Sequence, residues 1–164
     1  MSLPSPLRHV LAGGLVAGTL DLIYICTLWG AKGIGPVRIL HSIAAGWVGR
    51  EGAVAGGWQT AVLGLVSHYF IATCMAAAFW LAARRLPVLA RHPFVSGPLY
   101  GVVLYVVMNH VVVPLSAIGA AIPTPAWMVA SHLAAHMFLV GTTCALFARR
   151  ALFPTPEAPP ATTS

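Results

Sequence analysis

The sequence predicts an all-α integral membrane protein, a four-helix transmembrane bundle with one amphipathic helix at the outer interface. Three observations point there. Of the 164 residues only 7% are charged while 59% are apolar. An average soluble domain carries about 25% charged residues, so this chain has too few polar side chains to cover a water-facing surface. Mean hydropathy is +0.85. Long apolar, nearly uncharged runs also recur at the length a bilayer requires, about 20 residues of helix. This composition excludes a soluble enzyme, a disordered chain and a nucleic-acid binder. The formal charge of +6 arises from Lys and Arg lying between the apolar runs, where they set orientation in the membrane. The expected surroundings are a lipid bilayer, and no nucleic-acid partner is expected.

Residues 1–152 read as a single four-span domain. The first span, about 8–29, is interrupted only by Asp21. Its apolar stretch exceeds the core of a signal peptide, about 7–15 residues, and it carries a mid-segment carboxylate, so it reads as a retained span. The second, about 58–83, lies in an uncharged stretch from Gly52 to Ala83. No Lys, Arg, Asp or Glu occurs between Arg91 and Arg149, which leaves room for two spans and a hairpin. Two prolines in the segment Ile122 to Pro125 mark the break, because each removes a donor and disfavours helix before its ring. Span three is then about 98–118 and span four about 126–148. The Pro-, Ala- and Thr-rich residues 153–164 are expected to form a disordered cytoplasmic tail.

The first loop, between Gly30 and Gly57, is too long for a passive connector. Over about 37–48 its pattern is helical: Val37, Ile39, Leu40, Ile43, Ala44, Trp47 and Val48 share one half of the wheel, and Arg38, His41 and Ser42 the other. Pro36 suits a first helical turn. This segment is expected to lie in the interface or to cap the mouth of the bundle, with Trp47 at headgroup depth and His41 solvated. Arg84, Arg85 and Arg91 in the second loop, with Arg149 and Arg150 after span four, place both termini in the cytoplasm. Cys26, Cys74 and Cys144 all lie in apolar runs without paired spacing and read as small hydrophobes.

The chemistry-bearing residues are polar groups inside the spans, where each is costly. Asp21 lies in span one, His68 in span two, Asn109 and His110 in span three, His132 and His136 in span four. At 1.5 Å per residue all six fall about 0–8 Å to the outer side of the midplane. Asp21 shares a stripe with Gly14, Ala17 and Gly18, and small residues neighbour His68, as they do at packed helix contacts. His132 and His136, four apart, point the same way. Asn109 and His110 point about 100° apart, so one of them is expected to enter the cluster. Pro114 removes the donor for the His110 carbonyl.

Such a set can relay protons, and His68, His132 and His136 are candidate ligands for a metal ion. His68 and His136 could ligate a b-type haem, or the groups could simply hold four helices in register. Asp21, His68 and His136 are expected to form a connected, inward-facing cluster, within reach of bridging by one water, with Asp21 paired to a histidine as an ion pair or as a neutral hydrogen-bonded partner. His9 and His92 read as interfacial. Tyr24, Trp29, Trp58, Trp80, Tyr100 and Trp127 read as aromatic belts at the span ends. No nucleophile–base motif, phosphate loop or CxxC/HExxH signature occurs.

Four blocks, Ala17 to Leu22, Gly64 to Phe70, Met108 to Ser116 and His136 to Gly141, resemble a group of small bacterial four-span membrane proteins of unknown function. They resemble the YagU-type inner-membrane proteins more loosely. The resemblance implies a bacterial inner membrane and brings no catalytic residues. The expected function is non-enzymatic: handling of a small solute or protons, or service as a membrane-complex subunit, with a membrane-protein partner or a second copy as candidate partner. No cofactor is expected. The alternative is a metal- or b-haem-binding redox protein.

Overall fold

A computed structural model of the chain describes residues 5–119 and 124–154. Ile122 and Pro123 of the expected hairpin, and the expected tail from residue 155 on, lie outside these. The described residues form six helices and no strand: α1 (Ser5–Gly30), α2 (Pro36–Ala55), α3 (Gly57–Arg85), α4 (Pro87–Arg91), α5 (Pro93–Leu115) and α6 (Ala126–Leu152). Of these, α1, α3, α5 and α6 are long and apolar enough to cross a membrane. The chain is therefore all-α with four candidate spans.

Small residues decide how these helices meet, because lipid tails give apolar helices no net reason to associate and close backbone contact must supply it. On α1, Gly14, Ala17 and Gly18 are buried. A Cβ added at Gly14 would sit 2.5 Å from the Thr73 Cα of α3, closer than two carbons can approach. A second glycine contact, absent from the sequence reading, joins α5 to α6. There Gly97 and Gly101 lie against Gly141 and the backbone of His136, Met137 and Thr142, with no room for a Cβ on any of the three glycines.

Both of these helices carry a wider π-turn, Met108–Val112 in α5 and His136–Gly141 in α6. In α6 the Thr142 N–H reaches back five residues to the Met137 carbonyl, which also accepts from Thr142 Oγ1 at 3.0 Å. In α5 the turn precedes Pro114, whose missing N–H disturbs the α-helical ladder there. Such turns are often found at functional sites.

Two expectations about helices need correction. Span three begins at Pro93, not near residue 98. Pro93 takes the first-turn position, and Pro98 is accommodated inside the helix. The helix ends at Leu115, where Ser116 turns extended (φ −84°, ψ 174°).

The amphipathic segment is longer than 37–48, running Pro36–Ala55. Within α2, Gly49 breaks the helical path with φ 73° and ψ 169°, a conformation open to glycine. The first half packs along α3: the Leu40 carbonyl seats on Gly64, and Trp47 Nε1 donates to Ser67 Oγ at 2.9 Å. Ala117 N–H donates to the Gly46 carbonyl at 2.9 Å, tying α2 to the end of α5. His41, expected in solvent, is only 8% exposed, and its Nε2–H donates to the Gly57 carbonyl at 2.8 Å.

The main core sits toward the other end of the bundle. Phe79 and Cys144 are its largest fully enclosed side chains, and Val10, Ala76, Ala83, Ala145 and Ala148 pack around them. Tyr100 closes it edge-on against Phe79 and donates to the Met75 carbonyl at 2.8 Å.

Candidate functional site

Toward the α2-bearing end the four long helices part around a cavity of about 370 Å³. Asp21 reaches it from α1, His68 from α3, Asn109 from α5, and His132 with His136 from α6. Counted along their helices at 1.5 Å per residue, these side chains lie about 9–16 Å below that end. Ile39, Ser42 and Ile43 of α2 form the lid side of the same cavity. Most of the remaining wall is apolar.

The sixth predicted residue is elsewhere. His110 is exposed, and its Nδ1–H donates to the Val106 carbonyl at 3.2 Å on its own helix. Asn109, one residue earlier, faces the cavity while its Nδ2 donates to the Tyr105 carbonyl at 2.9 Å. The angular step between consecutive helical residues separates the two.

The cavity residues are held singly and not as a directly bonded cluster. A carbonyl can only accept, so each imidazole facing one must carry its proton on that nitrogen. His68 Nε2–H donates to the Gly18 carbonyl at 2.8 Å, linking α3 to α1 one turn before Asp21. His136 Nδ1–H donates to the His132 carbonyl at 2.9 Å, which leaves Nε2 as its free lone pair. The Tyr105 ring meets His136 edge-on at 5.6 Å. Among the described residues, no protein group lies within hydrogen-bond or ion-pair reach of the Asp21 carboxylate. The Asp21–histidine pair is therefore not made by direct contact; His68 Nε2 and His136 Nδ1 are bonded instead to backbone carbonyls.

Tyr24, expected in an aromatic belt, also holds His132 of the cavity wall. Its hydroxyl lies 2.7 Å from Ser131 Oγ and 3.3 Å from His132 Nδ1, and its ring meets His132 edge-on at 5.7 Å. A signal was available: Tyr24 follows Asp21 by three residues and so shares its helix face. Tyr105 stands in the same relation to Asn109, four residues before it.

Chemically, the arrangement offers one carboxylate, three imidazoles, two of them (His68 and His136) with the tautomer set by a carbonyl, and an amide to whatever enters. It does not gather metal ligands: among the described residues no three His, Cys, Asp or Glu side chains come close enough together to hold a metal ion. His68, with Nε2 protonated toward a carbonyl, cannot present that nitrogen to a metal or a haem iron. Compared with protein-family models, curated proteins and solved structures, the chain finds no match in any of the three.

Proposed function

We propose that this is a multi-pass protein of a bacterial inner membrane, both termini cytoplasmic, whose α2-covered cavity takes up protons or a small polar solute from the outer side without chemical conversion. The observation that carries this reading is the unpartnered Asp21 carboxylate facing a cavity shared with three histidines. A carboxylate at membrane depth costs about 2.5–3.5 kcal/mol on insertion scales, and a purely structural group would recover that cost through protein hydrogen bonds. Among the described residues Asp21 has none, so the partner in this reading is a proton, water or a guest. His136, with one nitrogen pinned and the other free, lines the same cavity and can accept a proton there. The kinship with YagU-type proteins belongs to the same reading.

Proton flux into vesicles containing the purified full-length chain tests it, using an enclosed pH-sensitive dye and an imposed gradient. Native protein should dissipate the gradient faster than empty vesicles, and Asp21→Asn should reduce the rate at least about tenfold, as expected for loss of a positioned proton-transfer group. Equal rates for native protein, Asp21→Asn and empty vesicles, repeated with small polar solutes trapped inside, would overturn it. Absorption spectra and metal analysis of the same preparation check the redox alternative, which a Soret band or stoichiometric metal would favour.

A further inference from the structure

A second cavity, of about 420 Å³, lies beside the first where the end of α1 faces both halves of α2. Arg38 and Arg50 line it together with His41 and Ser42, and Trp29, Ile34 and Val54 supply apolar wall. The left-handed turn at Gly49 makes this possible, since it redirects the chain so that Arg50 returns to the cavity that Arg38 already faces. Among the described residues neither guanidinium has an ion pair or hydrogen bond, and Glu51, next to Arg50, does not line the cavity. Two like charges facing one space without a counter-anion repel each other, and an anion placed between them relieves that repulsion. Guanidinium forks match the oxygens of a phosphate or carboxylate. The depth fits the polar–apolar boundary of a bilayer. Trp29 ends α1, Trp58 begins α3 and Trp127 begins α6, the ring of interfacial aromatics that marks headgroup level.

We propose that this cavity binds an anionic amphiphile: its phosphate or carboxylate headgroup sits between Arg38 and Arg50, and its hydrocarbon chain runs along Trp29, Ile34 and Val54. This site is independent of the Asp21 cavity. The two share Ile25, Ile39 and Ser42 as a common wall, but proton flux and lipid binding are read separately, so either reading can fail alone.

Native mass spectrometry of the full chain in neutral detergent, titrated with phosphatidylglycerol, phosphatidylcholine, oleate and inorganic phosphate, tests this. One molecule of phosphatidylglycerol or oleate should bind saturably, ahead of phosphatidylcholine, and inorganic phosphate should bind far more weakly. The double variant R38Q/R50Q should weaken binding about tenfold or more, as loss of charge-assisted hydrogen bonds predicts. R149Q/R150Q, at the other end of the bundle, should leave it unchanged. Both substituted arginines at the site are exposed, and the single variants R38Q and R50Q carry the same test should the double variant not fold. Equal binding of phosphatidylglycerol and phosphatidylcholine, equal binding of inorganic phosphate, or equal loss in R149Q/R150Q would overturn the proposal.

Discussion

The two ends of this bundle are built from nearly the same apolar alphabet and behave oppositely. At the end holding Phe79 and Cys144, glycine and alanine let backbones touch, and the cavity of about 430 Å³ left there, between Phe79, Val88, Leu99 and Tyr100, is walled almost wholly by apolar side chains. At the α2-bearing end the same four helices carry Asp21, His68, Asn109, His132 and His136, and two adjoining cavities remain open. Glycine contacts run between these halves like a seam. Gly97, Gly101 and Gly141 draw α5 onto α6, and the wide turn of α6 begins at His136, where that contact gives way to the cavity. Close packing and polar opening are thus two outcomes along one pair of helices, decided by side-chain size.

Breaking the seam should have the largest effect. In Gly101→Val the new side chain would fall on the His136 carbonyl and the Met137 backbone, and backbone cannot move aside as a flexible side chain can. Overpacking of this kind costs about 3 kcal/mol. Unfolding in detergent should show a loss near that size, and an unchanged midpoint would mean that α5 and α6 are not held by this contact.

At the open end the sign should reverse. Asp21→Asn removes a carboxylate that no protein group satisfies, so the melting midpoint should rise, by the equivalent of about 0.5–2 kcal/mol, even as proton or solute uptake is lost. A fall would reveal a protein partner for Asp21. The smallest effect sharpens the comparison. Tyr24→Phe deletes the hydroxyl shared with Ser131 and His132, and interhelical hydrogen bonds in membranes average about 0.6 kcal/mol. A double-mutant cycle with Ser131→Ala should return a coupling of that order.

What the sequence made legible follows from how local each cause is. The spans and their number came from charge-free stretches, which need no tertiary information. The stripe of Gly14, Ala17 and Gly18 was readable because one helix carries all of it. The convergence of Asp21, His68, Asn109, His132 and His136 could be anticipated from matched depth, but which hydrogen bonds they make could not. The acceptors for His68 and His41 are the carbonyls of Gly18 and Gly57, far away in sequence and present at every residue, so no side-chain pattern points to them. The burial of α2 depends on Gly49 leaving the helical path and on the absence of a Cβ at Gly64, both of which look unremarkable in an apolar chain. The turn at Met108 left no mark on the hydrophobic pattern, and that at His136 left only the four-residue spacing of His132, His136, Val140, Cys144 and Ala148.

The wide turn in α6 resolves a problem of phase. His132, His136, Val140, Cys144 and Ala148 stand at a strict interval of four; the first two line the cavity and the last three are buried. An ordinary α-helix overshoots a full turn by about 40° every four residues, so across this series the line would swing about 160°, nearly to the opposite side. One π-turn absorbs an additional residue and takes back about 100° of that drift. The helix can therefore keep a single face from the polar chamber down into the alanine-lined end. By the same reckoning, deleting one residue between His136 and Gly141 would restore an ordinary α-helix with Cys144 and Ala148 on the same face, whereas inserting one more would swing both by about 100° relative to His132. The length of this segment matters as much as its composition.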